Sequence, residues 1–244
     1  MAQDQSGIHG EVTWELFDEN GNLKSTGVTK NLVTDVGDQY YADRSAQIQG
    51  SAKTITAITN ATTAVVTTSA AHNYSVGDVV TIAGVTPAGY NGSWAVTAVG
   101  SATTFSIYVG TALGAGSAFG TSTGMNYPKA AGMKLGAGST AVAKSGAGAA
   151  LVTYLTNSHQ AFDATFPSTS GTSGGRVITY KVTYAPGKAT TASPITEAVI
   201  FTDFLADATS TAANTIARVL LSGIGSKGAS DTLTLTWTHT LLGA

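Results

Sequence analysis

The stretch that most constrains this chain is its last strong one, "DTLTLTWTHTLL", residues 231–242. Leu233, Leu235 and Trp237 alternate with Thr234, Thr236 and Thr238, a strict period of two. A helix would scatter these residues round its axis. A strand puts the apolar set on one face and the threonines on the other. The chain therefore has to build sheets with one dry and one wet side, and its opening repeats the pattern. Val12, Trp14 and Leu16 in "GEVTWELF" alternate with polar neighbours. Both strands carry a tryptophan on the apolar face, which places them, and so both chain termini, in one sandwich.

Between them the text changes twice. Residues 46–56 read as a linker feeding a strand, and "TAVVTTSA", "DVVTIAGV", "SWAVTAVG" and "TTFSIYVG" follow as short strands separated by Gly-, Pro- and Asn-rich loops. Four or five such strands in about 70 residues fit a small β barrel or sandwich. "ALGAGSAFGTSTG", 112–124, reads as its exit linker. After a glycine-rich stretch, "GMKLGAGSTAVAKSGAGAALVTYL", expected as an extended segment packed on a sheet, strands return in "RVITYKVTYA", "ITEAVIFTD" and "NTIARVLLSGI". The fold class is all-β: a discontinuous β-sandwich, residues 1–50 plus 123–244, with one short helix and an inserted small β module at 51–122.

That helix is "NLVTDVGDQYYADR", 31–44. Thr34 or Asp35 can cap it by accepting a bond from a free backbone N–H, and it runs to about Ser45. Val36 and Tyr40 stand four apart on one face with Tyr41 beside them. The expected role is to close one end of the sandwich, which requires Tyr40 to be buried. Upstream, "DENGN" holds Asn20-Gly21, a pair that tolerates the positive φ angles of a tight hairpin turn. It lacks the D-x-[DN]-x-[DN]-G spacing of a calcium loop.

Charge bounds the partners. Only 11% of residues are charged, net charge is −2, and the twelve Lys and Arg are scattered singly. Nucleic-acid binding needs clustered cations that displace counterions from phosphates, so it is not expected. A surface this poorly charged is weakly protected against self-association, which fits a protein covered in an assembly and a homo-oligomer. With no cysteine there is neither a disulfide framework nor a thiolate metal site. The N-terminus has no secretory pattern and no run is long enough to span a membrane, so a soluble chain with no membrane contact is expected.

No residue pattern marks a catalytic, cofactor or metal site. His9, His72, His159 and His239 sit in no metal spacing. His72 opens a turn, and His239, at a strand end, is expected to face the polar side. "GAGSTA" and "SGTSGG" fit no G-x-S-x-G nucleophile frame, and the glycine runs lack the G-x-x-x-x-G-K-[ST] of a phosphate cradle. Glycosidase chemistry asks for two facing carboxylates, and Glu197, Asp203 and Asp231 are the strand-borne candidates. Glu197, a lone charge entering the apolar run "PITEAVIF", is expected to bond neighbouring backbone at a sheet edge. Tyr74, Tyr90 and Trp94 gather near the module's loops as a weak candidate stacking platform for glycan, though Trp94 reads as core.

Taken together, "GEVTWELFDENGNLKSTGVTKNLVTDVGDQYYAD", the closing segments "ITEAVIF", "ARVLLSGI" and "DTLTLTWTH", and the module "HNYSVGDVVTIAGVTPAGYNGSWAVTAV" resemble tailed-bacteriophage virion structural proteins. The likeness rests on β-strand patterns over about two-thirds of the chain, not on catalytic signatures. It implies a virion component assembled in the host cytoplasm and no enzyme. A capsid decoration protein bridging subunits of the major capsid protein is the leading expectation. A tail, neck or baseplate accessory or fibre-associated protein is the alternative, and a carbohydrate-binding or carbohydrate-active protein is the alternative from another class. The contacts expected under the virion reading are strand edges, the N-terminal arm "MAQDQSGIHG" and the glycine-rich 132–150 segment.

Overall fold

In the computed structural model, residues 8–46, 48–124, 130–171, 175–202 and 205–241 are described. Their elements in chain order are β1 (Ile8–Phe17), β2 (Leu23–Val33), α1 (Asp35–Ser45), β3 (Lys53–Ile58), β4 (Thr63–Thr68), β5 (Val79–Ala83), β6 (Gly92–Ser101), β7 (Thr104–Tyr108) and β8 (Thr121–Thr123). They continue with β9 (Gly132–Gly136), β10 (Gln160–Ala161), β11 (Ser168–Ser170), β12 (Arg176–Tyr184), β13 (Glu197–Phe201), β14 (Thr215–Leu220) and β15 (Thr232–Leu241). The chain divides into two units, residues 1–39 with 130–244, and residues 40–129. The division falls inside α1.

The first unit is a nine-stranded sheet in the order β10-β9-β13-β14-β2-β1-β15-β12-β11, antiparallel throughout. β2 belongs to both halves. Its residues 23–31 pair with β1, and Leu32 and Val33 then pair with β14. A strand that changes sheet in this way turns one long sheet into the two layers of a sandwich. The two tryptophan strands are direct neighbours, with Val12 opposite Trp237, Trp14 opposite Leu235 and Leu16 opposite Leu233. β12 adds Tyr180, Val182 and Tyr184 on the same row positions, and all these side chains are buried. Each contributes on the order of 1.5–3 kcal/mol of apolar burial.

Period two also corrects one expectation. His239 has the parity of Leu235 and Trp237, so it points inward, fully buried and edge-on to both Tyr180 and Trp237. It is not on the polar face.

β9, β13 and β14 are buried on both faces, which is why they read as near-continuous apolar runs. Met133, Leu135, Ala198, Ile200, Ala217 and Val219 make one face. Lys134, Val199 and Arg218 stand in line on the other, with Glu197 and Phe201 on either side of Val199. This second face lies beneath coil. Of the glycine-rich stretch, 132–136 is a strand in the sheet and 137–150 is that coil, with one 3-10 turn at Gly146–Ala149.

The β1–β2 loop spans five residues, and Gly21 alone takes a positive φ, +80°. Asp18 organises it by accepting from the backbone N–H of Asn20 and Asn22 at 2.9 and 2.8 Å. At the end of β2, Thr34 caps α1: its Oγ1 accepts from Gly37 N–H at 3.0 Å and lies 2.6 Å from Thr215 O. A Cβ on Gly37 would stand 2.1 Å from Ile216 O, so only glycine lets the helix sit this close to β14.

In the second unit, Tyr40 is buried, with Tyr41 edge-on at 5.2 Å and the Arg44 guanidinium 5.3 Å from its ring centre. Arg44 also pairs with Asp78 at 3.0 Å, and Asp78 accepts from Ser75 N–H at 2.9 Å. The strands here close into a barrel, β3-β4-β7-β6-β5-β8, with β8 returning to β3. Thr121–Thr123 is therefore the closing strand and not linker. Ile55, Val66, Val80, Ile82, Val96, Phe105 and Ile107 fill the barrel together with Tyr74 and Tyr90.

Candidate functional site

The most constrained polar group in the first unit is Glu197, and its surroundings differ from a sheet edge. β13 lies between β9 and β14, and Glu197 and Arg218 are both 0% exposed. Arg218 donates to Glu197 Oε2 from Nη2 at 2.7 Å and from Nε at 3.1 Å, a two-toothed ion pair. The rest of both groups is directed at backbone. Glu197 Oε1 accepts from Thr153 N–H at 2.7 Å and Gly138 N–H at 3.0 Å, and Oε2 from Val152 N–H at 3.2 Å. Arg218 Nη1 donates to Thr140 O at 2.8 Å and Gly148 O at 3.2 Å.

One ion pair thus holds both limbs of the 137–153 coil against the outer face of β13 and β14. Coil laid on a sheet carries backbone groups without ladder partners, and a charged clamp satisfies several at once. The glycines belong to the same design. A Cβ on Gly136 or Gly138 would come within 2.5 or 2.4 Å of Glu197 Oε1. Thr196 Oγ1 donating to Gly138 O and Leu151 N–H donating to Ser210 O extend the seam. Beside it, Lys134 is buried with Nζ 4.4 Å from the centre of the Phe201 ring.

The other candidates separate. Asp231 precedes β15, bonds Lys24 Nζ at 2.6 Å and accepts from Gly228 N–H; those bonds hold its carboxyl below the usual range, the lysine bond most strongly. It does not face Glu197 across a cleft. Asp203 and residues 1–7 of the N-terminal arm lie outside the described residues, and Ile8–Gly10 already belong to β1. Tyr74 and Tyr90 are barrel core, and Trp94 packs against that core with Nε1 donating to Tyr90 O at 2.7 Å. The glycan platform therefore loses its faces.

His72 is buried against Tyr74 and Phe105, accepts from Tyr74 N–H at Nδ1, and is held below its ordinary pKa by desolvation. His239 lies 2.9 Å from the Asn31 side-chain amide, and burial pushes its pKa down to about 3. His9 is exposed on β1. Among the described residues no three His, Asp or Glu gather as a metal site.

One cluster escaped the sequence. Tyr154 OH donates to Asp207 at 2.7 Å and lies 3.1 Å from His159 Nδ1, while Asn157 N–H donates to the same Asp207 oxygen. Burial and, next, the Asp207 bond push the Tyr154 phenol up to about 12. It ties two loops, 154–159 and 205–210, across 50 residues of sequence, and no local motif announces it.

The fold and site define the class: an all-β protein of two units whose buried charges organise its own backbone. Comparison with protein-family models, curated proteins and solved structures finds no match. No helix among the described residues is long and apolar enough to cross a membrane.

Proposed function

We propose that the chain is a non-enzymatic structural component of a tailed-bacteriophage virion and decorates the capsid, bridging neighbouring shell subunits. The observation that carries the structural part of this reading is the Glu197–Arg218 clamp. A carboxylate in catalytic use must meet substrate, whereas this one is 0% exposed and directed at an arginine and three backbone amides. Burying two charges is worthwhile where a coil must keep one shape. Shape persistence in a thin, glycine-rich chain is what a shell component requires. The likeness of the opening and closing strands to phage structural proteins supports the virion part.

Copy number per particle, by quantitative mass spectrometry of purified virions, tests the proposal. Hundreds of copies are expected. A dozen or fewer would transfer the protein to the neck or tail, and its absence from particles would overturn the reading.

A further inference from the structure

The two outer faces of the sandwich are treated differently. The β9-β13-β14 face lies beneath coil, whereas among the described residues the outer face of β15, β1 and β2 is open. Only its β12 margin is touched, Thr183 Oγ1 donating to Asp163 at 2.7 Å and Lys181 Nζ lying 6.0 Å from the centre of the Phe166 ring. Its residues follow from the register. One row runs Thr183, Thr234, Glu15, Thr26; the next Lys181, Thr236, Thr13, Val28; the third Thr179, Thr238, Glu11, Lys30. The β1 and β2 members are exposed, Val28 at 57%, and the β15 threonines are half-exposed.

We propose that this face is a self-association surface and that its occupant is a second copy of the same chain. Three features carry the inference. The first is size. Four strands of 9 to 11 residues, about 4.8 Å apart and ~3.4 Å per residue, cover roughly 650 Å² in projection. Side chains standing off the sheet raise the accessible area towards the ~800 Å² per partner of a stable interface.

The second is low ordering cost. Seven of these twelve positions are threonine, whose branched Cβ already restricts χ1. Little rotamer freedom is lost on contact, unlike on a lysine- and glutamate-rich sheet.

The third is charge. A two-fold axis along the strands, between β15 and β1, sets each of these strands over the other of the second copy. Thr236 then meets Thr13, Thr238 meets Glu11, Thr234 meets Glu15, and Lys181 meets Val28. No like charges oppose, each carboxylate faces threonine hydroxyls, and Glu11 keeps Lys30 as its own cross-strand neighbour. The contact is isologous and closes on itself as a dimer.

Sedimentation equilibrium of the purified full chain tests this independently of any particle, so its failure leaves the virion reading standing. The wild type is expected at twice the 24.5 kDa chain mass. T13K/T236K places four lysines at the axis and is expected to raise the dissociation constant at least ~100-fold. Thr13 is exposed and Thr236 half-exposed, so the circular dichroism spectrum should keep its wild-type form, while the thermal midpoint falls with the lost dimer contact and with two lysines opposed across β1 and β15. Should that variant misfold, V28K sets a second cation against Lys181 of the other copy at a position 57% exposed, with the same expectation. V152K, an equal charge added on the coil, should leave the dimer intact. A wild type of single-chain mass at about 100 µM, far above the Kd of a standard interface, would overturn the inference. So would a T13K/T236K or V28K variant that keeps the wild-type mass, or a V152K variant that dissociates equally.

Discussion

Replacing Glu197 by glutamine changes one atom and tests the clamp directly. In the wild type both carboxylate oxygens face only donors: Oε1 meets the N–H of Gly138 and Thr153, and Oε2 meets Arg218 and Val152 N–H. Whichever way the glutamine amide turns, its NH2 points at donors, and at least two bonds are lost. The Arg218 guanidinium, 0% exposed, is then left without a counter-charge. Breaking a buried pair from one side costs about 3–5 kcal/mol. For a unit of about 150 residues at ~2–4 °C per kcal/mol, the midpoint should fall by roughly 10 °C.

Calorimetry of the full chain reads the midpoint, and hydrogen exchange reads the mechanism. The Gly138 and Thr153 amides should lose protection in E197Q, while barrel amides keep theirs. Adding R218M to E197Q should cost less than the sum of the two single changes, because the second substitution removes the stranded cation. A midpoint within ~2 °C of wild type with both amides still protected would refute the clamp.

His239 supplies a pH test. Its folded pKa, about 3, lies below the ordinary 6.5, so the unfolded chain binds the proton first as pH falls. Stability is therefore full above pH ~6.5 and declines towards pH 3, by about 2 kcal/mol at pH 5, and H239Q should flatten that slope in pH-dependent denaturant melts. Gly138→Ala drives a Cβ against Glu197 Oε1, which its own bonds hold in place, and should destabilise the first unit by ~1–3 kcal/mol in the same melts.

The sandwich was legible because alternation at period two is a local property. Val12, Trp14 and Leu16 and Leu233, Leu235 and Trp237 declare their face without reference to anything distant. His239 carries the same signal, but a histidine reads as polar by residue type, although parity puts it beside Trp237 on the inner face. Thr121–Thr123 is too short to show alternation, so the strand that closes the barrel read as linker. Tyr74 and Tyr90 lie outside the strands, yet fill the barrel's centre. Barrel strands as short as three to five residues leave interior volume that loop aromatics occupy.

Glu197 was conspicuous in sequence but its role was not. Arg218 is 21 residues away and the amides it binds 44 to 59 residues away. No spacing rule connects such groups. Only the pairing of β9, β13 and β14 brings them together.

These observations also explain why a chain with so few charges buries several. Val199 and Phe201 make the outer face of β13 too apolar to stand in water, so that face must be covered. What covers it is coil, whose backbone groups lack a ladder. Burying coil without partners would cost more than burying a paired charge, and Glu197 with Arg218 supplies five partners at once. The opposite layer avoids the problem at its root. Threonine at alternate positions of β15 satisfies water on one side while leucine and tryptophan satisfy the core on the other, so no cover is needed. The sequence difference between "EAVIF" and "TLTLTWT" thus decides which face of the sandwich is closed by its own chain and which stays open to another.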